Sequence, residues 1–288
     1  MTSSIPFPGR SIAASEPRLP RSGLNLTLVL GLTLFLLIVL AAVFAPALTS
    51  ADPLKQDLLN ARVPPGSPGH LLGTDELGRD VFARILYGAR IDLKVGVLAV
   101  LTPLILGSAL GLLAGWWGRS FDTVVMRVID VVVAFPFYVL VIALVFAMGQ
   151  GAKSIYIAIS LVGWVAYCRI VRGQVLVAKE QEYALAARAS GLPTWRILLR
   201  HLLPNVVLQA VVYAMSDIVL TILAIVTLSY LGLGIAPPTP EWGSMIAEAQ
   251  NSLLTQWYLA TIPGLCVVVV GLSLALVADG LVNHFNKR

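Results

Sequence analysis

Apolar residues occur in six long runs along the chain, and shorter polar stretches separate them. A helix needs about 20 mostly apolar residues to cross the hydrocarbon core of a bilayer, and each run is close to that length. Hydrophobic residues make up 58% of the 288 positions and charged residues only 12%, unlike the composition of a soluble domain. The pattern therefore predicts an all-α, polytopic membrane protein. We expect its six transmembrane helices at residues 26–48, 93–117, 128–148, 155–171, 206–233 and 259–282.

Basic residues orient these helices. Cytoplasmic loops of membrane proteins carry an excess of Lys and Arg, and most of the 20 Lys and Arg lie inside if both termini are cytoplasmic. The first loop, residues 49–92, argues against this orientation because it also carries several basic residues, although acidic residues balance them. We predict an N-in, C-in orientation. This topology explains the net charge of +5 without a nucleic acid partner.

Polar stretches divide the chain into four parts. Residues 1–25 are rich in Ser, Pro and Arg and form a predicted disordered cytoplasmic tail. The run at residues 26–48 is too long for the apolar core of a signal peptide, about 7 to 15 residues, so we expect a retained transmembrane helix rather than a cleaved leader. Residues 49–92 form an external loop. Residues 93–288 form a five-helix core that contains a polar loop at residues 179–203.

The external loop contains a predicted turn followed by an amphipathic helix within residues 70–90. Thr74 or Asp75 is expected to cap this helix by accepting backbone N–H bonds, and the helix is expected to lie on the membrane or pack on the bundle. Several acidic residues near His70 suggest a metal site, but basic residues are interleaved with them and their spacing fits no metal-binding loop. We therefore predict helix caps and surface ion pairs, and no metal.

The loop at residues 179–203 has the clearest local pattern. Alanines within residues 184–189 favour a short helix with little bulk. Gly191 suits the left-handed conformation that ends a helix, and Pro193 prevents its continuation. Composition alone is also compatible with an ordinary basic loop on the cytoplasmic side.

A second, basic helix is predicted after this break. Thr194 is expected to cap it, and Pro204 is expected in the first turn of the next transmembrane helix, where proline is tolerated. Arg196 and Arg200 would remain in water. The apolar side is expected to comprise Trp195, Leu198, Leu199 and Leu202.

The residue order in this loop resembles the EAA loop of permease subunits of binding-protein-dependent ABC importers. That pattern is Glu-Ala-Ala, three residues, Gly, nine residues, then Ile-x-Leu-Pro. Leu185 stands at the position of the Glu and His201 at that of the Ile, and the nearby Glu182 offers an alternative charge. The matching residues are Ala186, Ala187, Gly191, Leu203 and Pro204.

Further motifs extend the resemblance to the second permease subunit of dipeptide, oligopeptide and nickel importers. They lie in the same order along the chain, and they imply the architecture of a type I ABC importer permease in a bacterial inner membrane. The motifs are Leu-Gly-Thr-Asp-x-x-Gly-Arg-Asp at 72–80, Met-Arg-Val-Ile-Asp at 126–130, Tyr-Leu-Gly-Leu-Gly at 230–234, Pro-Pro-Thr-Pro-Glu-Trp-Gly at 237–243 and Asp-Gly-Leu at 279–281.

The resemblance implies a translocation subunit that is not an enzyme and binds no cofactor. In agreement, the sequence contains no Gly-x-x-x-x-Gly-Lys-Ser/Thr phosphate loop. ATP and Mg would bind two partner ATPase subunits, and a second homologous permease and an extracytoplasmic solute-binding protein would complete the complex. The residues implied to couple the chain to the ATPases are Glu182, Tyr183, Ala186, Ala187, Arg188, Gly191, Leu203 and Pro204.

The resemblance also implies that the external loop and residues 234–256 receive the solute-binding protein. Trp242, Trp257 and Tyr258 are explained at least equally well as aromatics of the membrane interface. The candidate docking residues are Asp75, Arg79, Asp80, Pro238, Glu241 and Trp242.

Asp217 is the main candidate for the substrate path, because an acid deep in a transmembrane helix is costly and indicates a cavity, a pair or a path. Its carboxylate would attract the amino group of a peptide. The alternative is a structural acid, bonded to Ser216, to Thr221, to a neighbouring helix or to the second permease. Asp130 is instead expected to form a local ion pair with Arg127.

ATP-driven uptake of dipeptides or oligopeptides is therefore the predicted function, and nickel-chelate and glutathione importers share the same motifs. A secondary transporter would carry ionisable residues deep in several helices. An intramembrane enzyme would need a nucleophile with a base or a metal set, whereas the histidines lie in or next to polar loops, and Cys168 and Cys266 form no Cys-x-x-Cys motif. A non-transporting scaffold would not explain the spacing from Gly191 to Pro204.

Overall fold

The computed structural model describes residues 26–285, and this part of the chain is a bundle of long helices with a compact external lobe. The predicted disordered tail, residues 1–25, lies outside the described residues, as do residues 286–288. The elements in chain order are α1 (Leu26–Val43), α2 (Ala45–Leu48), α3 (Val81–Trp117), α4 (Arg119–Val133), α5 (Phe137–Met148), α6 (Ala152–Ala178), α7 (Glu182–Ala189), α8 (Thr194–Arg196), α9 (Leu203–Tyr230), α10 (Trp242–Glu248) and α11 (Tyr258–Phe285).

Five helical stretches are long and apolar enough to cross a membrane. They are α1, α3, α6, α11 and the continuous stretch Thr194–Tyr230, which comprises α8, the turns after it and α9. A sixth crossing is available if α4 and α5 together make one broken span. Within the described residues, each predicted transmembrane helix therefore has a counterpart. The prediction of an all-α, polytopic fold is confirmed.

The first predicted helix is shorter than expected, because α1 ends at Val43 and α2 follows as a separate turn. Pro46 explains the break, since it has no N–H to donate to the carbonyl of Ala42 four residues earlier. Arg90 of α3 takes over that role by donating its Nε–H to the Ala42 oxygen.

A separate amphipathic helix in the external loop is a wrong prediction. Residues 81–90 form the first turns of α3, which continues without interruption through the second span. The predicted caps are wrong as well, since Asp80 is the capping residue and accepts the Ala83 N–H at 2.8 Å. Thr74 instead ties the lobe together by accepting the N–H of Val63.

The third predicted helix is broken rather than continuous. α4 and α5 meet at an angle of 86° around residues 134–136. Pro136 has no N–H for the helical ladder and disfavours the α conformation of the preceding residue, so the chain turns here.

Glycines allow the two central helices to pack backbone to backbone. A Cβ on Gly107 would lie 2.3 Å from the Trp164 carbonyl oxygen of α6, and one on Gly111 would lie 2.5 Å from the Cys168 carbonyl oxygen. Such close approach of small residues is a common basis of helix association in membranes. α3 and α6 therefore form the rigid centre on which the other helices pack.

Candidate functional site

The polar loop after α6 folds into a short helix with a defined end. Gly191 has φ +72, its N–H donates to the Arg188 carbonyl at 3.0 Å, and the N–H of Leu192 donates to the Ala187 carbonyl at 3.3 Å. These two bonds form a Schellman motif, the usual glycine-dependent stop signal of a helix. The predicted helix and its termination at Gly191 are confirmed.

The segment after Gly191 differs from the prediction. Pro193, rather than Thr194, occupies the cap position, and no side chain caps α8. The chain stays helical into α9 through wider π-helical turns at Ile197–Leu202. Pro204 lies in the first turn of α9, as predicted, and because it lacks an N–H the wider turns before it relieve the clash with the preceding carbonyls.

Helix α7 is held against the end of α3. The Arg188 guanidinium lies 4.2 Å from the centre of the Trp116 ring, which is a cation–π contact. Lys179 donates to the Gly115 carbonyl at 3.0 Å, and a cation is favoured at the C-terminal end of a helix. Ala184 and Ala187 are the buried residues of α7. The loop is therefore attached to the bundle at the end of α3.

An apolar surface remains exposed on this loop. The predicted apolar side of the second helix is divided, because Leu198 and Leu202 are buried whereas Trp195, which is 59% exposed, and Leu199 face outward. Leu185, which stands where the importer pattern has Glu, is exposed too. Exposed apolar side chains of this kind are found where a protein meets a partner or the membrane surface.

A cavity of about 730 Å³ lies beside the break between α4 and α5, bounded by α6 and α9. Its lining includes Phe135 of the break, and non-helical backbone at membrane depth is tolerated where it lines a cavity or is buried in protein. The lining also includes Asp217, Arg169, Tyr138 and Tyr213. The structure thus brings polar groups from three spans to one place.

Asp217 has a structural partner in this cavity. The Tyr167 hydroxyl donates to its Oδ2 at 2.7 Å, and the Tyr213 ring packs edge-on against the Tyr167 ring. The acid is therefore bonded to a neighbouring helix, as the structural alternative expects, and it also lines the cavity, as a substrate path requires. Sequence alone gave no sign of Tyr167, because it lies 50 positions away on α6.

Asp130 lies between two basic residues. It is 3.9 Å from Arg127, the predicted partner, and 3.6 Å from Arg169 of α6. Both contacts are exposed, so each stabilises the fold little. The contact with Arg169 places that guanidinium at the edge of the cavity.

Four charged residues tie the external lobe to α10. Arg79 donates to Asp75 and to Glu248, both at 2.6 Å, and Arg84 donates to Glu248 at 3.0 Å. The two arginines are almost completely buried, so this part of the network is not at the surface. A surface ion pair, as predicted, joins Arg62 and Glu76 at 3.3 Å. Within residues 26–285, no group of three or more His, Cys, Asp or Glu is arranged to hold a metal ion.

Glu241 and Trp242 are buried scaffold residues rather than surface residues. Glu241 caps α10 by accepting the N–H groups of Gly243 and Ser244, both at 2.7 Å, and burial raises the pKa of its carboxyl above the ordinary value. Trp242 is 1% exposed, and its indole N–H donates to the Ile85 carbonyl. Neither side chain is available for docking, and Trp242 is not an aromatic of the membrane interface.

The other predicted docking residues differ in exposure. Arg79 and Asp80 are buried, Asp75 is largely covered, and Pro238 is exposed. The surface of the lobe is instead rich in exposed apolar side chains, of which only Trp257 was named from the sequence. They are Leu58, Leu59, Leu71, Leu254 and Trp257.

Comparisons with known proteins find matches over most of the chain. The model of the family described as "Binding-protein-dependent transport system inner membrane component" matches residues 107–288, and that of the "N-terminal TM domain of oligopeptide transport permease C" matches residues 25–65. The chain is 37% identical to the dipeptide transport system permease protein DppC of Alkalihalophilus pseudofirmus, over 92% of this chain and 86% of that protein.

Two further relatives widen the comparison. Identity is 38% with the di/tripeptide transport system permease protein DppC of Pseudomonas aeruginosa, over 90% of this chain and 87% of that protein. It is 40% with the glutathione transport system permease protein GsiD of Pectobacterium atrosepticum, over 77% of this chain and 74% of that protein.

Proposed function

This chain belongs to the family of binding-protein-dependent transport system inner membrane components, and from that premise we propose that its substrates are dipeptides or oligopeptides. It is a multi-pass inner membrane protein and the translocating, non-catalytic part of an ABC importer. Relatives named for dipeptides and di/tripeptides match about nine tenths of the chain, whereas the glutathione relative matches less of it. This difference in coverage favours peptides over glutathione.

We propose that the coupling segment, residues 182–204, is the contact for the ATPase subunits. Its exposed apolar side chains, Leu185, Trp195 and Leu199, suit a groove on a partner protein. The observation that carries this proposal is the attachment of α7 to the end of α3 through Arg188 and Trp116. Motion of α7 would then move α3 and switch the path between inward and outward openings.

The partner set follows from the same role. Two ATPase subunits would bind ATP and Mg, and this chain would bind no cofactor. A second homologous permease would enclose the path, and a solute-binding protein would deliver the peptide. The coupling segment would then face the cytoplasm, and both termini would lie on that side in the proposed N-in, C-in orientation. On the opposite side, the exposed leucines of the external lobe form the proposed surface for the solute-binding protein.

We propose that the cavity beside the α4–α5 break is part of the peptide path. Asp217 supplies a negative charge for the amino group of a peptide, and Arg169 supplies a positive charge for its carboxylate. The largely apolar remainder of the lining accommodates side chains of varied size.

Asp217→Asn is expected to lower the uptake of peptides with a free amino group by about tenfold, the size of one lost charge-assisted bond. N-acetylated peptides have no charged amino group, so we expect the wild-type importer to take them up slowly. Their uptake is expected to change little in the variant. Tyr167→Phe is the matched control, because it removes the donor to Asp217 and keeps the charge. Equal loss in both variants would identify Asp217 as a structural acid and not part of the path.

The peptide proposal is tested by the ATPase activity of the reconstituted complex. Dipeptides and oligopeptides, added with the solute-binding protein, are expected to stimulate ATP hydrolysis, and nickel chelates and glutathione are not. Stimulation by nickel chelates alone would refute the peptide proposal while leaving the permease role intact.

A further inference from the structure

A groove runs along the outside of the bundle between α1 and α3. Its volume is about 480 Å³. The apolar part of its lining is Phe35, Val39, Ala42 and Val43 of α1 with Leu93 and Val97 of α3. These residues belong to two candidate membrane spans, so the groove opens at the depth of the lipid chains.

Two cations flank one end of this groove. Arg90 donates to the carbonyls of Ala42 and Val43, the last residues of α1, so it marks the end of that helix. Lys94 lies one turn further along α3, about 6 Å from Arg90 along the helix axis, and its side chain is exposed. Neither cation forms an ion pair with an acidic side chain in the part of the chain that the structure describes.

The position of the two cations matches a membrane boundary. Trp116, which contacts the coupling segment, lies 26 residues after Arg90 on the same helix, and this corresponds to about 39 Å. That distance is close to the full thickness of a bilayer with its headgroup regions, about 40–45 Å. Arg90 and Lys94 therefore lie at the headgroup level of the leaflet opposite the coupling segment.

Lys94 has no acidic side-chain partner among the described residues, so its ammonium is free to donate charge-assisted hydrogen bonds to a lipid phosphate at this level. Lys94 is exposed and lines the groove, and a lysine stem commonly covers apolar surface while its ammonium stays at the polar boundary. A phospholipid offers both required parts, since its phosphate meets the cations and its acyl chain fills the groove below them. Lys and Arg near an anionic membrane surface attract its headgroups, each by about 1 kcal/mol.

We propose that the groove between α1 and α3 binds one anionic phospholipid, with its phosphate at Lys94 and Arg90 and an acyl chain along Phe35, Val39 and Val97. The lipid fills the space between the N-terminal helix and the core and holds α1 in place. This role is independent of the substrate and of the ATPase partners.

Lys94→Gln tests the charge in this site. The full-length chain, purified in detergent with the subunits that accompany it, is incubated with phosphatidylglycerol or with phosphatidylcholine of the same acyl chains. Native mass spectrometry and thermal unfolding report the bound lipid. We expect phosphatidylglycerol to bind and stabilise the wild-type chain, and Lys94→Gln to weaken this binding about fivefold, the effect of one lysine near an anionic surface.

Lys153→Gln is the matched control, because Lys153 is another exposed lysine, located at the start of α6 and outside the groove. It is expected to leave phosphatidylglycerol binding unchanged. Equal loss in the two lysine variants, equal stabilisation by phosphatidylcholine, or the same stabilisation by inorganic phosphate would overturn the proposal.

Val97→Trp tests the apolar part of the site without a change of charge. Val97 is partly exposed on the lipid side, so the larger side chain fills the groove without disturbing the core. We expect reduced lipid retention with an unchanged melting temperature in lipid-free detergent. Loss of a partner subunit from this variant, with lipid retention unchanged, would identify the groove as a protein interface and refute the lipid site.

Discussion

Replacing Gly191 with proline is expected to separate the chain from its ATPase subunits. Gly191 has φ +72, whereas proline is fixed near −65, and proline also removes the N–H that bonds to Arg188. A misplaced proline costs about 3 kcal/mol, so the end of α7 rearranges and the coupling segment loses its angle. We expect the amount of ATPase that copurifies with the chain, and the rate of ATP-driven uptake, to fall about tenfold or more.

Gly191→Asn separates the effect of backbone conformation from that of a side chain. An added Cβ at this position meets no atom within 4 Å, and Asn adopts the left-handed conformation more readily than other residues with a side chain. Gly191→Asn is therefore expected to retain most of the ATPase. Normal copurification with the proline variant would show that the coupling segment is not the attachment site.

Trp242→Ala is expected to destabilise the external side of the bundle by about 3–5 kcal/mol, the usual cost of removing a large buried aromatic side chain. The ring packs where Gly88 leaves room on α3, and its indole N–H donates to the Ile85 carbonyl of α3 at 3.2 Å. Removing the ring leaves a cavity and this carbonyl without its donor, whereas the backbone N–H of residue 242 still donates to Asp92. The expected measurement is a lower apparent melting temperature of the purified chain in detergent.

Trp257→Ala is the control for this change. Trp257 lies close by in the sequence but is 63% exposed, so its removal is expected to change stability by less than about 0.5 kcal/mol. Equal destabilisation by both substitutions would contradict the scaffold role of Trp242. If Trp242→Ala has wild-type stability but no longer binds the solute-binding protein, then Trp242 is a docking residue after all.

Local chemistry explains the features that the sequence predicts correctly. Gly191 ends a helix because the left-handed conformation depends on glycine. Pro204 lies in the first turn of α9, where the wider π-helical turns before it accommodate the missing N–H. The five long spans, and the sixth if α4 and α5 form one, follow from the length and polarity of the apolar runs. These features depend on neighbours within a few positions, which a single sequence contains.

Features that depend on distant residues are not predictable in this way. Asp217 meets Tyr167 across 50 positions, and Arg84 meets Glu248 across 164. The motif that contains Trp242 suggested a surface loop, but α3 covers it. Nothing local in the sequence distinguishes these buried contacts from surface residues.

Pro136 indicates a break in the third predicted helix that the hydropathy pattern does not show. The run at residues 128–148 is apolar on both sides of the proline, so hydropathy alone treats it as one helix. The residue before a proline is biased away from the α conformation, and the observed bend of 86° follows from that rule. The cavity lined by Asp217 lies beside this bend. Pro136 therefore also indicates the position of the candidate path.

Reconstituted uptake tests the central claim most directly. Proteoliposomes containing this chain, its partner permease and the two ATPase subunits are supplied with the solute-binding protein and a radiolabelled dipeptide. We predict accumulation of the peptide only when ATP is enclosed on the side of the coupling segment. Peptide transport by the chain alone, without ATP or partner subunits, would contradict the account.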